Sequence, residues 1–249
     1  MDTAFYDRLA PDYHLLYPDW ERAVARQGAA LATVLRAHGV APGEPVLDAA
    51  CGIGTQTLGL IAQGFALTAS DLSPGAVSRL QQELDARGLH ANLRVDDLRS
   101  LSGTATGSQA AVLACDNSLP HLLSDDEILQ AFASAWRCLR PGGLLLISVR
   151  DYAAIPRVSP DVRPYGARRD AQGRRFLAVQ VWEWDGDCYD LRLYRTVEHP
   201  DGRCDTEVLR SRYRAITLDR LAQLMAEAGF EAIERRDDVL FTPALLQPL

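Results

Sequence analysis

VLDAACGIGTQT at 46–57 and LTASDLSP at 67–74 decide the fold of this 249-residue chain. An apolar run ends in Asp48, and Ala50, Gly52 and Gly54 follow at alternate positions. A second apolar run ends in Asp71. This is the sequence form of a strand, a tight glycine turn, a helix and a second strand whose last residue is acidic. Such a unit holds an adenosine-containing ligand at the carboxyl ends of parallel strands.

Charge separates the possible ligands. A dinucleotide fingerprint carries a third glycine three residues after the second, and Thr57 stands there. An acid at the strand end would face a pyrophosphate unfavourably. A carboxylate at Asp48 suits a cationic amino-acid ligand, and S-adenosylmethionine carries an ammonium and a sulfonium but no phosphate. A nicotinamide dehydrogenase is the competing reading. The bland one is a glycine turn that only packs a helix on a sheet. The paired acids favour S-adenosylmethionine.

The remaining sequence sets bounds. The net charge is −7, and all 26 basic side chains are arginine. That balance argues against nucleic acid as the main partner. There is no stretch apolar enough to span a membrane and no secretory leader pattern, so a cytoplasmic protein is expected. The five cysteines (51, 115, 138, 188, 204) lack metal-ligand spacing and read as reduced thiols. No metal is expected. Whether the chain is a monomer or a homo-oligomer is left open.

Strand and helix signals alternate from 45 to 149: strands near 45–49, 66–71, 92–95, 110–115 and 143–149, helices at 55–63, 74–87 and 125–139. This predicts an α/β, doubly wound, mostly parallel sheet of seven strands in a Rossmann-like arrangement. Residues 1–40 form an N-terminal segment and helix, with Asp19 as the helix cap, and 41–152 the cofactor-binding core. Residues 153–217 form a small antiparallel insert after strand five. Its strands are 176–184, 189–199 and 206–217, with 151–175 irregular. Residues 218–249 return to the core, with a helix at 218–230 and a last strand pair at 231–242.

Five βα units, the Asp48/Asp71 pair and LRPGG before the fifth strand make the chain resemble the class I S-adenosylmethionine-dependent methyltransferases. The resemblance covers roughly 40–150. It implies a ribose-binding role for Asp71, adenine cover from Leu72, and contacts to the adenine amine from Asp97 and the Leu98 amide, with Asp96 as the neighbouring alternative to Asp97. AVLACDNSLPHL (111–122) and LISVRDY (146–152) resemble the glycine and sarcosine N-methyltransferase group. That likeness implies roles for Asn117, Ser118 and His121 in the fourth-strand turn. It also implies a substrate-carboxylate contact for Arg150, with Tyr152 beside it. An ion pair of Arg150 with Asp151 is the structural alternative. FYDRLAPDYHLLYPDW (5–20) resembles the group's lid, with Tyr6, Tyr13, His14 and Trp20 as lid residues and Arg26 holding the methionine carboxylate.

The expected cofactor site is therefore Tyr13, Arg26, Asp48, Ala50, Gly52, Asp71, Leu72, Asp97, Leu98, Cys115 and Ser118. Cys51 and Cys115 read as small residues packed beside the cofactor. The expected catalytic set is Asn117, His121, Arg150 and Tyr152. His121 titrates near neutrality in its free form; a hydrogen bond within its turn or to the cofactor carboxylate is the alternative role. The expected substrate contacts are Tyr6, Trp20, Asn117, Arg150, Trp182 and Tyr213. The reaction expected is N-methylation of a small amino-acid-like acceptor. The aromatic load of the insert (Trp182, Trp184, Tyr189, Tyr194, Tyr213) keeps a nitrogen heterocycle of natural-product type as the alternative substrate. A non-catalytic S-adenosylmethionine sensor is the alternative from another class.

Overall fold

The computed structural model describes residues 3–170 and 172–237. Five strands form one parallel sheet: β1 (Pro45–Asp48), β2 (Ala66–Asp71), β3 (Asn92–Val95), β4 (Gln109–Ala114) and β5 (Leu139–Ile147), in the order β3-β2-β1-β4-β5. Every residue of β4 is buried, as a central strand covered on both faces requires.

The helices between and around the strands start where their caps allow. Asp19 accepts from the Arg22 amide at 2.9 Å to open α2 (Trp20–Ala37), and Ser73 accepts from the Ala76 amide to open α4 (Pro74–Arg87), with Pro74 in its first turn. Ser124 caps α5 (Asp125–Cys138), whose first turn holds three acids. α2 and α3 (Thr55–Ile61) touch backbone to backbone. A Cβ on Gly28 would lie 2.4 Å from the Gly59 carbonyl, so only glycine permits this approach. The contact locks the helix that follows the glycine turn.

The insert is a separate antiparallel sheet, β6 (Asp161–Arg169), β7 (Arg175–Asp185), β8 (Cys188–Glu198) and β9 (Cys204–Arg214), in sequence order. It has four strands where three are predicted. DVRPYGARR reads as a loop because Pro164 and Gly166 interrupt it. As an edge strand it tolerates both: the register slips between them, with Gly166 at φ +78°. Of the seven strands predicted, the parallel sheet holds five among the described residues. Residues 231–237 form no strand, and 238–242 of the expected last pair lie outside the described residues.

The N-terminal arm, with α1 (Ala4–Leu9) and a 3-10 turn at Tyr13–Leu16, bridges the two sheets. Phe5 and Leu9 are buried with Phe176, Trp182, Tyr189 and Tyr213 on the inner face of the insert. Asp7 accepts from Ser73 Oγ and the Gly75 amide at the start of α4. α6 (Leu218–Glu227) closes the other side, with Leu221 and Leu224 packed against Ile128 and Phe132 of α5. No helix among the described residues is long and apolar enough to cross a membrane.

Candidate active site

The strand order reverses direction beside β1, and the cleft opens over the carboxyl ends at that point, where open α/β sheets place their ligands. It encloses about 880 Å³, its open mouth included. Ala50 and Gly52 line it after β1, Asp71 and Leu72 after β2, Asp97 and Leu98 after β3. Cys115, Ser118 and His121 line it after β4, and Tyr6 and Tyr13 reach it from the N-terminal arm. Among the described residues no arginine lines the cleft, whereas three aspartates do: Asp71, Asp97 and Asp116. Such a lining suits a cation and opposes a pyrophosphate.

Local geometry fixes these acids. The Asp71 carboxylate accepts from the Gly52 amide through Oδ2 and from the Ser73 amide through Oδ1, each at 2.9 Å. Each oxygen keeps acceptor capacity, which a vicinal diol fits. Asp97 is gripped by the Arg99 guanidinium, with Arg99 Nη2 donating to Oδ2 at 2.6 Å. Of the two candidates, Asp96 is the structural acid: buried, it accepts from the Ser102 and Gly103 amides. Ser118 Oγ is buried without a hydrogen-bond partner among the described residues, a polar atom that a ligand of the cleft can satisfy. Together with the acidic lining, these residues fit S-adenosylmethionine.

Asp48 lies elsewhere than its sequence role implies. It is fully buried behind the turn and does not line the cleft. Thr57 Oγ1 donates to its Oδ2 at 2.7 Å, and Oδ1 has no partner among the described residues. Thr57, the residue that replaces the third glycine, is thus the partner of the first acid. Burial pushes the Asp48 pKa up to about 7, with Thr57 pulling it down and Asp71 pushing it further up. The folded chain therefore holds this proton between pH 4 and 7 while the unfolded chain has lost it, and stability falls as pH rises through that window. Asp48→Asn is expected to gain thermal stability over wild type progressively from about pH 4 to pH 7, by a ceiling on the order of 4 kcal/mol, and no further above. Parallel melting curves of the two proteins from pH 4 to 8 would refute this placement of the charge.

Behind the cleft lies a hydrogen-bonded network between the core and the insert. Asp116 and Asn117 are both left-handed, at φ +56° and +66°, and Ser148 holds their amides. Asn117 Oδ1 accepts from the Arg150 amide at 3.1 Å, and its Nδ2 donates to the Tyr152 hydroxyl at 2.9 Å. The Tyr152 hydroxyl lies 3.0 Å from that of Tyr189. Arg150 is partly buried, its guanidinium 5.5 Å from the Trp182 ring centroid, and has no carboxylate partner among the described residues. Asp151 pairs with Arg235 instead, so the expected alternative ion pair of Arg150 is not formed.

His121 is corrected from a neutral-range titrating group. Burial, aided by Arg150, lowers its pKa to about 4, so the ring is neutral at neutral pH. Nε2 lies 2.7 Å from the Tyr6 hydroxyl, which lies 3.0 Å from that of Tyr213. Burial raises the pKa of Tyr6 and Tyr13, and the Cys51 and Cys115 thiols likewise, leaving all four protonated.

The aromatic expectations divide. Trp182 is buried, stacked on Tyr189 at 4.3 Å, with the Arg163 guanidinium 3.8 Å from its centroid. Two groups that close cannot share one face, so both faces are taken and Trp182 is core rather than a stacking platform. Tyr213 continues the stack from Tyr189 to His121. Trp20 is also a packing residue, its Nε1 donating to Thr55 Oγ1 at 2.9 Å. His14 packs against Trp20 and Arg79, and neither His14 nor Arg26 lines the cleft. Sequence reading passed over Asp116 and Tyr17, which both line the cleft and share a 2.8 Å hydrogen bond. The available signal was an acid one residue beyond the end of a strand already assigned to the site.

Comparison with known proteins agrees with this fold. Residues 46–143 match a methyltransferase domain family. A methyltransferase candidate of Geobacillus sp. (strain WCH70) is 25% identical over 238 residues, covering 92% of this chain and 87% of that protein. The glycine/sarcosine/dimethylglycine N-methyltransferase of Actinopolyspora halophila is 32% identical over 55% of this chain, a match spanning only 24% of that protein. Among solved structures, S-adenosylmethionine-bound CalS10, an amino pentose methyltransferase from Micromonospora echinaspora, superposes with a TM-score of 0.69 at 19% identity, covering 83% of each chain. The acidic cleft at the strand reversal carries its first turn on the matched residues 46–143, which form a methyltransferase domain, and the protein is an S-adenosylmethionine-dependent methyltransferase.

Proposed function

We propose that this enzyme methylates the nitrogen of a small amino-acid-like molecule of the glycine/sarcosine type. The observation that carries the reading is Arg150. It is a permanently charged fork between core and insert with no carboxylate of its own among the described residues, set within electrostatic reach of Tyr152, Tyr165, Tyr189 and Tyr213. Its natural complement is an acceptor carboxylate. The relative from Actinopolyspora halophila, named for glycine, sarcosine and dimethylglycine, supports the same class.

When bound, the cofactor supplies a methyl group made electrophilic by the sulfonium. The chain's part is alignment and exclusion of water. Asp71 takes the ribose diol, Leu72 and Leu98 flank the adenine, and Ser118 satisfies the amino-acid tail. Asn117 and Tyr152 fix Arg150 through its backbone, and Tyr6 and Tyr13 roof the acceptor. A histidine with a pKa of about 4 is too weak a base to hold an ammonium proton at neutral pH. His121 therefore positions Tyr6, and the acceptor enters the reaction as free amine.

A second reading, methylation of an amino sugar, is favoured by the likeness to CalS10 and by the phenol-rich walls of the cleft. The heterocycle reading loses its main support with both faces of Trp182 covered. The test is mass spectrometry of co-purifying small molecules, followed by a methyl-transfer screen over glycine, sarcosine, other amino acids and amino sugars. Turnover of sarcosine or glycine is the expected result. Turnover of amino sugars alone would replace the first reading by the second.

A further inference from the structure

Three carboxylates line the cleft, and two of them are already gripped: Asp71 by two amides and Asp97 by Arg99. Asp116 differs. Its side chain is met, among the described residues, by one neutral donor, the Tyr17 hydroxyl at 2.8 Å on Oδ2, and it forms no ion pair. We infer that Asp116 is the anchor for the α-ammonium group of the bound cofactor, with Tyr17 of the N-terminal arm as its positioning residue.

The sheet order gives the placement. The strands run β3-β2-β1-β4, and the Ala49 amide beyond β1 bonds to Leu113 O of β4, so the loops after these strands adjoin. With the ribose at Asp71, beyond β2, the amino-acid tail extends over β1 toward β4. Two strand spacings, roughly 10 Å, carry it to the loop that holds Asp116. An ammonium arriving there needs a carboxylate. Asp48, the acid the sequence suggests, is sealed behind the turn, which leaves Asp116 as the acid that faces this end. The loop is held for the purpose: Ser148 Oγ accepts from the Asp116 amide at 2.8 Å and fixes the left-handed conformation. Burial keeps the Tyr17 phenol protonated, so it donates to the carboxylate and leaves Oδ1 for the ligand. Because Tyr17 belongs to the arm, cofactor capture and arm placement share one hydrogen bond.

The inference rests on the cofactor and not on the proposed acceptor, so failure of amino-acid turnover leaves it intact. The experiment is calorimetric titration of the full chain with S-adenosylhomocysteine and with 5′-methylthioadenosine, which lacks the amino-acid tail. Neither carries a sulfonium, so the comparison isolates the tail. Asp116→Asn keeps the shape and the tolerance of left-handed backbone. Asp116→Gly removes the side chain where φ is positive and guards against a folding defect in the first variant. Both are expected to lose at least tenfold in S-adenosylhomocysteine affinity and less than twofold for 5′-methylthioadenosine. Tyr17→Phe is expected to show the same selectivity with a smaller loss of about threefold, the low end of one hydrogen bond's net contribution, because it acts through Asp116 and not on the ligand. Equal losses for the two ligands, or unchanged S-adenosylhomocysteine affinity with a raised KM for the acceptor, would overturn the assignment.

Discussion

Asp71→Ala is expected to weaken S-adenosylhomocysteine binding by at least about 100-fold, since two hydrogen bonds to a charged acceptor are lost at about 1.5–3 kcal/mol each. The carboxylate ends β2 with both oxygens already aligned by the Gly52 and Ser73 amides, so it meets a ribose diol without reorganising. Its removal acts twice. The ligand loses its bidentate partner, and the glycine turn loses the tie that holds it against the next strand. Asp71→Asn separates these effects, because it retains one acceptor oxygen and places an NH2 against the other amide. It should bind about tenfold more weakly than wild type. Burial raises the Asp71 pKa, an effect the Ser73 and Gly52 amides only partly offset, so binding should also weaken on acidification. Isothermal titration together with melting of the ligand-free protein measures both parts. Affinity within threefold of wild type in Asp71→Ala would remove the residue from the site.

The parts of this molecule that a sequence shows are those whose partners are close in the chain. Asp71 follows from its strand-end position, and Leu72, Asp97 and Leu98 from the family resemblance of the loops after β2 and β3; all four line the cleft. What escapes is which way a side chain faces when a distant residue decides it. Asp48 turns inward because Thr57 bonds it from the first turns of α3. Asp116 becomes part of the cleft through Ser148, 32 residues on, and Tyr17, 99 residues back. The insert misleads for another reason. Aromatic residues at alternate strand positions read equally as a core or as a binding platform, and the choice rests on the stack of Trp182, Tyr189 and Tyr213, which only strand pairing creates. β6 hides because an edge strand can carry the proline and glycine that a central strand excludes.

Arg150→Met should lower kcat/KM for a carboxylate acceptor by roughly 100-fold, expressed mainly in KM, because breaking one desolvated charge pair costs about 2–5 kcal/mol and this side chain is only partly buried. S-adenosylhomocysteine affinity should stay within about twofold, as Arg150 does not line the cleft that fits the cofactor. Methionine keeps an unbranched stem of similar reach against Trp182, and the cation–π contact it gives up, at 5.5 Å, contributes about 0.5–1 kcal/mol. The melting temperature therefore shifts little, and a kinetic loss is not a folding loss. Arg150→Lys keeps the charge but not the planar fork and should fall between. The same variants discriminate acceptors. An amino sugar offers hydroxyls rather than a carboxylate, so its loss should stay near tenfold, the low end for a neutral group hydrogen-bonded to a charge. A loss confined to kcat with KM intact would mean that Arg150 acts only as the transition state forms. It would then orient the nitrogen through Asn117 and Tyr152 rather than grip the acceptor, and the carboxylate assignment would fall.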